Sequence, residues 1–390
     1  MTQRIRIGLA GAGRMGQIHA ASLSARCPTA ELACVFDADA DRGRRVAERF
    51  EVPWARSYDG MLADGAIDAV VIATPTGTHA ELSIRASRAG KHIFCEKPVS
   101  LDRQAALDAI AAAQAAGVTF QVGFHRRFDP DWAAATERIR AGELGEVYLF
   151  RTSLRDMSPP DPAFLSRSGG FFVDVAIHDL DSARWMVGEV VEVTAHGSAL
   201  SDPGFAEIGD VDTAVVVLRF ESGALGVLDG SRAAGYGYEC STEVMGRDAT
   251  VRIDHPQYRN YEWRTPGSVS FGPPRDFEER FPDAYARELE AFARCVRDGR
   301  AAPVTGYDAL AAFDLARAAT QSWRSGRTVR VEPQRIDTGT GTGVVYYRAE
   351  PVNNTGAVNR TEAVINTELV NNTELVNNTE LDNNTEQESQ

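Results

Sequence analysis

A chain of 390 residues, 43% of them hydrophobic, can bury two ordinary domains, and two domains are what the length predicts. The net charge is −14, but half of it sits at the end: residues 350–390 hold eight acids against Arg360 alone, so the body is only mildly acidic. No basic stripe with interleaved aromatics occurs, and no run is long and apolar enough for a signal peptide or a membrane span. These features exclude nucleic-acid and membrane partners and make a cytoplasmic address the expectation.

The front of the chain is the most regular. Residues 4–10 (RIRIGLA) read as a short strand, Gly11-Ala12-Gly13-Arg14-Met15-Gly16 opens a helix, and residues 31–36 (ELACVF) form a second strand ending on Asp37. In such a turn Gly11 permits the tight bend, Gly13 lets the backbone approach a pyrophosphate, and Gly16 lets helix pack on strand. The helix N-terminus attracts the phosphate charge. A carboxylate at Asp37 accepts hydrogen bonds from an adenosine ribose and repels a 2′-phosphate, which favours NAD over NADP. Arg42, Arg44 and Arg45 follow closely and could host a phosphate or form an exposed helix face. Strands at 68–74, 91–97 and 118–124 alternate with helices at about 78–89 and after Asp102. The alternation predicts a parallel sheet covered on both faces, with ligands beyond the carboxyl ends of its strands. Thr74 and Pro75, then Glu96 and Lys97, fall on that side.

After Phe128 the alternation stops. Residues 145–154 read as a strand, and a Pro-rich loop leads into Gly169-Gly170 and then Asp174, His178 and Asp181, spaced i, i+4, i+7. On one helix these three share a face, where a carboxylate and an imidazole can orient each other and the histidine can take a hydroxyl proton. The rival reading is a helix cap and a surface histidine. Strands follow at 190–200, 212–220, 224–234, 240–246 and 249–255, with closing helices at 283–299 and 308–326. The fold class is therefore an α/β Rossmann domain followed by an α+β domain with a large, mostly antiparallel, open-faced sheet. The open face is expected to meet another copy of the chain, as a dimer or tetramer.

Five cysteines are scattered without ligand spacing, so buried free thiols are expected and no structural metal. From Val352 a six-residue repeat (VNNTEL and variants) runs through six imperfect copies. Its Asn, Thr and Glu content gives no apolar stripe to bury, which predicts a disordered tail. The expected division is a dinucleotide-binding domain at 1–124, a substrate domain at 125–335 and the tail at 336–390.

The GAGRMG turn with Asp37, the EKP at 96–98, GFHRRFDP at 123–130 and the D-x-x-x-H at 174–178 resemble the glucose-fructose oxidoreductase/inositol dehydrogenase (Gfo/Idh/MocA) family over residues 4 to about 332. The segments at 168–189, 231–239 and 280–292 are most similar to inositol 2-dehydrogenases. The resemblance implies NAD-dependent oxidation of a ring hydroxyl, myo-inositol to its 2-ketone first among the candidates. It implies His178 as general base, Asp174 holding its imidazole, Lys97 steadying the alkoxide and a cis Lys97–Pro98 bond. His125, Arg127, Tyr236 and Tyr285 match substrate-binding positions. His125 and the loop at 154–160 depart from better-understood relatives, which leaves other inositols, an aldopyranose or a keto-sugar open as substrates. A non-catalytic dinucleotide sensor is the rival of another class; it would need the glycine turn and Asp37 but not Lys97, Asp174 and His178 together.

Overall fold

The computed structural model describes residues 4–254, 263–270, 272–336 and 344–350. Of the tail expected to be disordered at 336–390, residues 337–343 and 351–390 lie outside the described residues. The first sheet is built from β1 (Ile5–Ala10), β2 (Ala30–Phe36), β3 (Ala69–Ile72), β4 (His92–Glu96) and β5 (Phe120–Gly123). All pairings are parallel, in the order β2-β1-β3-β4-β5. These strands are Val, Ile and Phe runs because helices cover both faces, and Ile7, Val71 and Phe94 have no exposed surface. Asp102 fixes the start of helix Arg103–Ala115 by accepting the Ala105 N–H at 2.8 Å.

The second sheet takes β6 (Val147–Arg155), β7 (Val190–Ser198), β8 (Thr213–Phe220), β9 (Leu225–Ser231), β10 (Glu239–Gly246) and β11 (Thr250–Ile253). A two-stranded ribbon, β12 (Trp263–Thr265) with β13 (Ser268–Ser270), stands apart. The large sheet is completed by β14 (Val329–Ile336) and β15 (Val344–Glu350). Its order is β11-β10-β6-β9-β8-β7-β14-β15, antiparallel except for β6 beside β9. Helices Ile177–Val187 and Gly306–Ser325 pack on one face. The other face is open: β8 alternates buried and exposed along its length, leaving Val215 and Val217 in solvent beside Leu225.

Two elements cross the expected boundaries. Helix Pro282–Asp298, in the C-terminal stretch, packs part of its length on the first sheet, its Leu289, Phe292 and Ala293 sharing an apolar cluster with Ile7, Leu9 and Leu23. A buried stripe on that helix says that one face is covered, not which domain covers it. The expected break at 335 falls inside β14, and β15 pairs with it from Arg330↔Glu350 to Ile336↔Val344. All five cysteines are buried free thiols. No helix among the described residues is long and apolar enough to cross a membrane.

Candidate active site

β1 ends in the glycine turn. Gly11 takes φ +99°, and a Cβ there would meet the Ala73 carbonyl oxygen at 2.4 Å. A Cβ on Gly16 would lie 1.9 Å from the Gly11 oxygen, so this glycine serves the turn itself. A Cβ on Gly13 would meet no atom within 4 Å, and helix Arg14–Ala25 starts there without a side-chain cap. Uncapped amides facing open space make a cradle that fits a pyrophosphate. At the end of β2, Asp37 accepts the Ala12 N–H (2.7 Å), the Asp39 N–H (2.8 Å) and Arg42 Nη2 (2.8 Å). Burial works against its charge, but Arg42 and the two amides prevail and hold the carboxyl below its usual range. Arg42, open as a phosphate host in the sequence, is committed to Asp37. Arg44 lies over the Trp54 ring.

The ends of β3 and β4 open onto a cavity of about 530 Å³. Arg14, Met15, Thr74, Pro75, Glu96 and Lys97 line its cofactor side. Arg14 also crosses to the second half of the chain, bonding Asp276 (2.9 Å) and Glu278 and lying over Phe277. His79 bridges the Thr74 carbonyl (2.7 Å) and the Pro98 carbonyl (2.8 Å), tying the two strand ends together. The Lys97–Pro98 peptide is cis. On the other side stand His125, Arg126, Asp156, Asp174, His178, Arg232, Tyr238 and Tyr285.

Asp174 and His178 do not share one helix. A short helix Phe171–Asp174 ends before helix Ile177–Val187 begins, and Asp174 is held by Lys97 Nζ (3.3 Å to Oδ1) and Arg232 Nη2 (3.0 Å). Lys97 Nζ also donates to the Asp174 carbonyl at 2.7 Å. The expectation that Asp174 holds the His178 imidazole is therefore corrected: His178 Nδ1 has no partner among the described residues. Its ring stands edge-on to His125, centroids 4.9 Å apart, and His125 stacks on Tyr285 at 4.7 Å. Burial, then the charge of Lys97, holds His178 well below the usual imidazole range, so the ring is neutral at pH 7. Asp181 turns away to Arg127.

Two expected substrate residues are displaced. Arg127 is buried against Asp181 (Nε to Oδ2, 2.9 Å) and Asp308 (3.1 Å), and its neighbour Arg126 reaches the cavity instead. Tyr236 is 60% exposed and bonds Glu239, while Tyr238 lines the cavity. Asp156 and Arg232 were missed, although both lie in segments that the sequence reading marked. His79 carried no signal beyond its place after the Thr74 turn.

A dinucleotide cradle and, on the same cavity, a lysine with a neutral histidine define a dinucleotide-dependent oxidoreductase with its own substrate domain. The chain belongs to the Gfo/Idh/MocA oxidoreductase family: residues 5–124 match its NAD-binding Rossmann fold and residues 136–331 its C-terminal alpha/beta domain. It is an NAD-dependent enzyme. Similar proteins include a scyllo-inositol 2-dehydrogenase (NAD(+)) of Bacillus subtilis, 38% identical over 87% of this chain and 100% of that one. A myo-inositol 2-dehydrogenase of Thermotoga maritima is 39% identical over 84% of this chain and 99% of its own. Among solved structures, the scyllo-inositol dehydrogenase of Lactobacillus casei with bound NAD(H) and scyllo-inositol superposes with a TM-score of 0.79 at 29% identity, covering 84% of this chain and 99% of that one.

Proposed function

We propose that the protein oxidises a secondary ring hydroxyl of a cyclic polyol, myo-inositol to 2-keto-myo-inositol first, with scyllo-inositol as the second candidate. The observation that carries this reading is that Lys97, bonded to Asp174, and His178 line the same cavity as Arg14, Met15 and Thr74 beside the dinucleotide cradle. Neutral His178 takes the hydroxyl proton, and the Lys97 ammonium stabilises the alkoxide as it forms. Bound NAD accepts the hydride from the carbinol carbon. Asp174, fixed between Lys97 and Arg232, holds the ammonium in place and offers a carboxylate to neighbouring hydroxyls. The names of the relatives support an inositol, and Lys97, Asp156, Asp174 and Arg232 in the cavity lining offer partners to ring hydroxyls. Initial rates of NADH formation with myo-, scyllo- and chiro-inositol, glucose and xylose, each with NAD and NADP, test the reading. Silence on every inositol despite NAD binding would remove it.

Asp156 gives this reading a pH signature. Burial pushes its carboxyl up to about 6, Arg232 pulling it down and the charge of Asp174 adding to the rise. Ionised, it accepts hydrogen bonds from hydroxyls on both oxygens; protonated, it keeps one acceptor and turns the other into a donor. KM for the polyol is therefore expected to rise as pH falls through about 6, while kcat, tied to His178, holds to lower pH. Asp156→Asn should remove the rise in KM; a flat KM in the parent enzyme would sink the assignment.

The open sheet face supports the expectation of a homo-oligomer, since Tyr148, Val215, Val217, Leu225 and Met245 are all exposed on its strands. Light scattering at micromolar concentration should give a dimer or tetramer, and Val217→Glu should weaken it. A monomer would overturn this assignment.

A further inference from the structure

Behind the Lys97 end of the cavity, three ionisable side chains from three elements meet away from solvent. They are His19 of helix Arg14–Ala25, Glu96 at the end of β4 and Glu288 of helix Pro282–Asp298, and their ligand atoms lie within 4.8 Å of one another. His19 and Glu288 have no exposed surface. His19 Nε2 and Glu96 Oε1 are 2.6 Å apart, and Glu96 Oε2 accepts the Lys97 backbone N–H at 3.3 Å. Among the described residues, neither Glu288 carboxyl oxygen nor His19 Nδ1 has a hydrogen-bond partner.

A divalent cation is the first ligand such a set suggests. At bond lengths of about 2.0–2.2 Å, two ligand atoms on one tetrahedral ion sit roughly 3.4 Å apart. The 2.6 Å contact between His19 and Glu96 is too close for that and is a short hydrogen bond, so a proton occupies the space between them. Glu288 then faces a carboxylate across a dry gap, where two ionised groups repel and one of them stays protonated.

We propose that His19, Glu96 and Glu288 form one proton-holding unit in which Glu288 is a neutral acid, and that His19 and Glu288 are positioning residues for Lys97. They act through Glu96, whose carboxyl grips the peptide from which the lysine side chain enters the cavity. This rests on the reading of Lys97 as the group that meets the reacting hydroxyl. The groups facing Glu288 are Glu96 and His19, with Tyr285 one turn earlier on its own helix and Cys27 near enough to feel its charge; no cation of the described residues pairs with it. Burial, then the charge of Glu96, keeps the Glu288 carboxyl well above its usual range.

The sign of the pH effect follows. A carboxyl whose folded pKa is raised binds more protons in the folded state, so its stabilising contribution is complete below the unfolded value of about 4.5 and is lost as pH rises towards the folded value. Glu288→Gln keeps the shape and neutrality without the proton. In thermal melts of the full chain without substrate, the parent should lose Tm relative to Glu288→Gln as pH rises from 5 towards 9. Parallel curves would overturn the proton-holding unit, as would a stoichiometric divalent metal that Glu288→Gln removes.

For the positioning role, Glu288→Ala should lower kcat at least tenfold with KM for NAD within about threefold of the parent, and Glu288→Gln should restore most of kcat at pH 7. If the alanine variant does not fold, His19→Gln, which keeps a donor to Glu96 but cannot become a cation, should show the same split. Unchanged kcat in the folded variant would overturn the role. The melts need no turnover, so they decide the proton-holding unit even if no polyol is oxidised.

Discussion

Lys97→Ala and His178→Ala are each expected to lower turnover by about 10²- to 10⁴-fold while dinucleotide binding stays within about threefold of the parent. The two losses have different causes. His178 is neutral in its buried position and lines the cavity, so on the proposed reading its removal leaves the hydroxyl proton without an acceptor. Lys97 is the ammonium in the cavity, and without it the proposed alkoxide would form beside an Asp174 carboxylate paired with Arg232 alone. Asp174 keeps its bond to Arg232 in that variant, so the wall is not left with an isolated buried charge and the fold should survive. The cradle for NAD is built from backbone amides and Asp37, which neither change touches. Single-turnover kinetics alongside NADH fluorescence titration separates the two steps. Retained turnover in either variant would sink the role given to that residue, and lost NAD binding would mean that the change had collapsed the site.

The parts of the fold that were legible in the sequence are those set by local rules. The glycine turn needs Gly11 at positive φ and a clear approach at Gly13, so its pattern appears as consecutive letters. The parallel strands are short apolar runs because both faces are covered, and the antiparallel strands alternate because one face is open. What could not be read depends on long-range choices. The stripe on helix Pro282–Asp298 fits either domain. The spacing of Asp174, His178 and Asp181 fits one helix as well as two, and the break falls just after Asp174, where Lys97 and Arg232 bind its carboxylate. Arg126 and Arg127 differ only in the phase of one 3₁₀ turn, His125–Phe128, which sends the first to the cavity and the second to Asp181. The buried unit of His19, Glu96 and Glu288 draws on positions 19, 96 and 288, and no local pattern joins them.

Removing residues 341–390 is expected to lower Tm by more than about 5 °C, whereas removing only 351–390 should leave it within about 2 °C. The difference is β15. Its Tyr347 is 1% exposed, accepts the Val190 N–H at 3.0 Å and Arg184 Nε at 3.2 Å, and donates its hydroxyl to Glu189. The Tyr347 backbone N–H goes to Asp314 Oδ2 at 3.2 Å, and Asp314 also holds Arg103 Nε at 2.9 Å. Losing a buried aromatic side chain alone costs about 3–5 kcal/mol. The truncation would also leave Glu189 and Asp314 short of donors and expose the edge of β14. At about 2–4 °C per kcal/mol for a large domain, the aromatic term by itself exceeds the threshold. The six-residue repeat, by contrast, offers Asn, Thr and Glu where a packed element would need an apolar stripe. Melting curves of the three chain lengths decide between the two boundaries: if the chain ending at residue 340 melts with the full-length protein, the substrate domain ends at 335 as the composition suggested and Tyr347 adds nothing. If it melts early and the chain ending at 350 does not, the domain closes on Tyr347, and the repeat begins only after its sheet is complete.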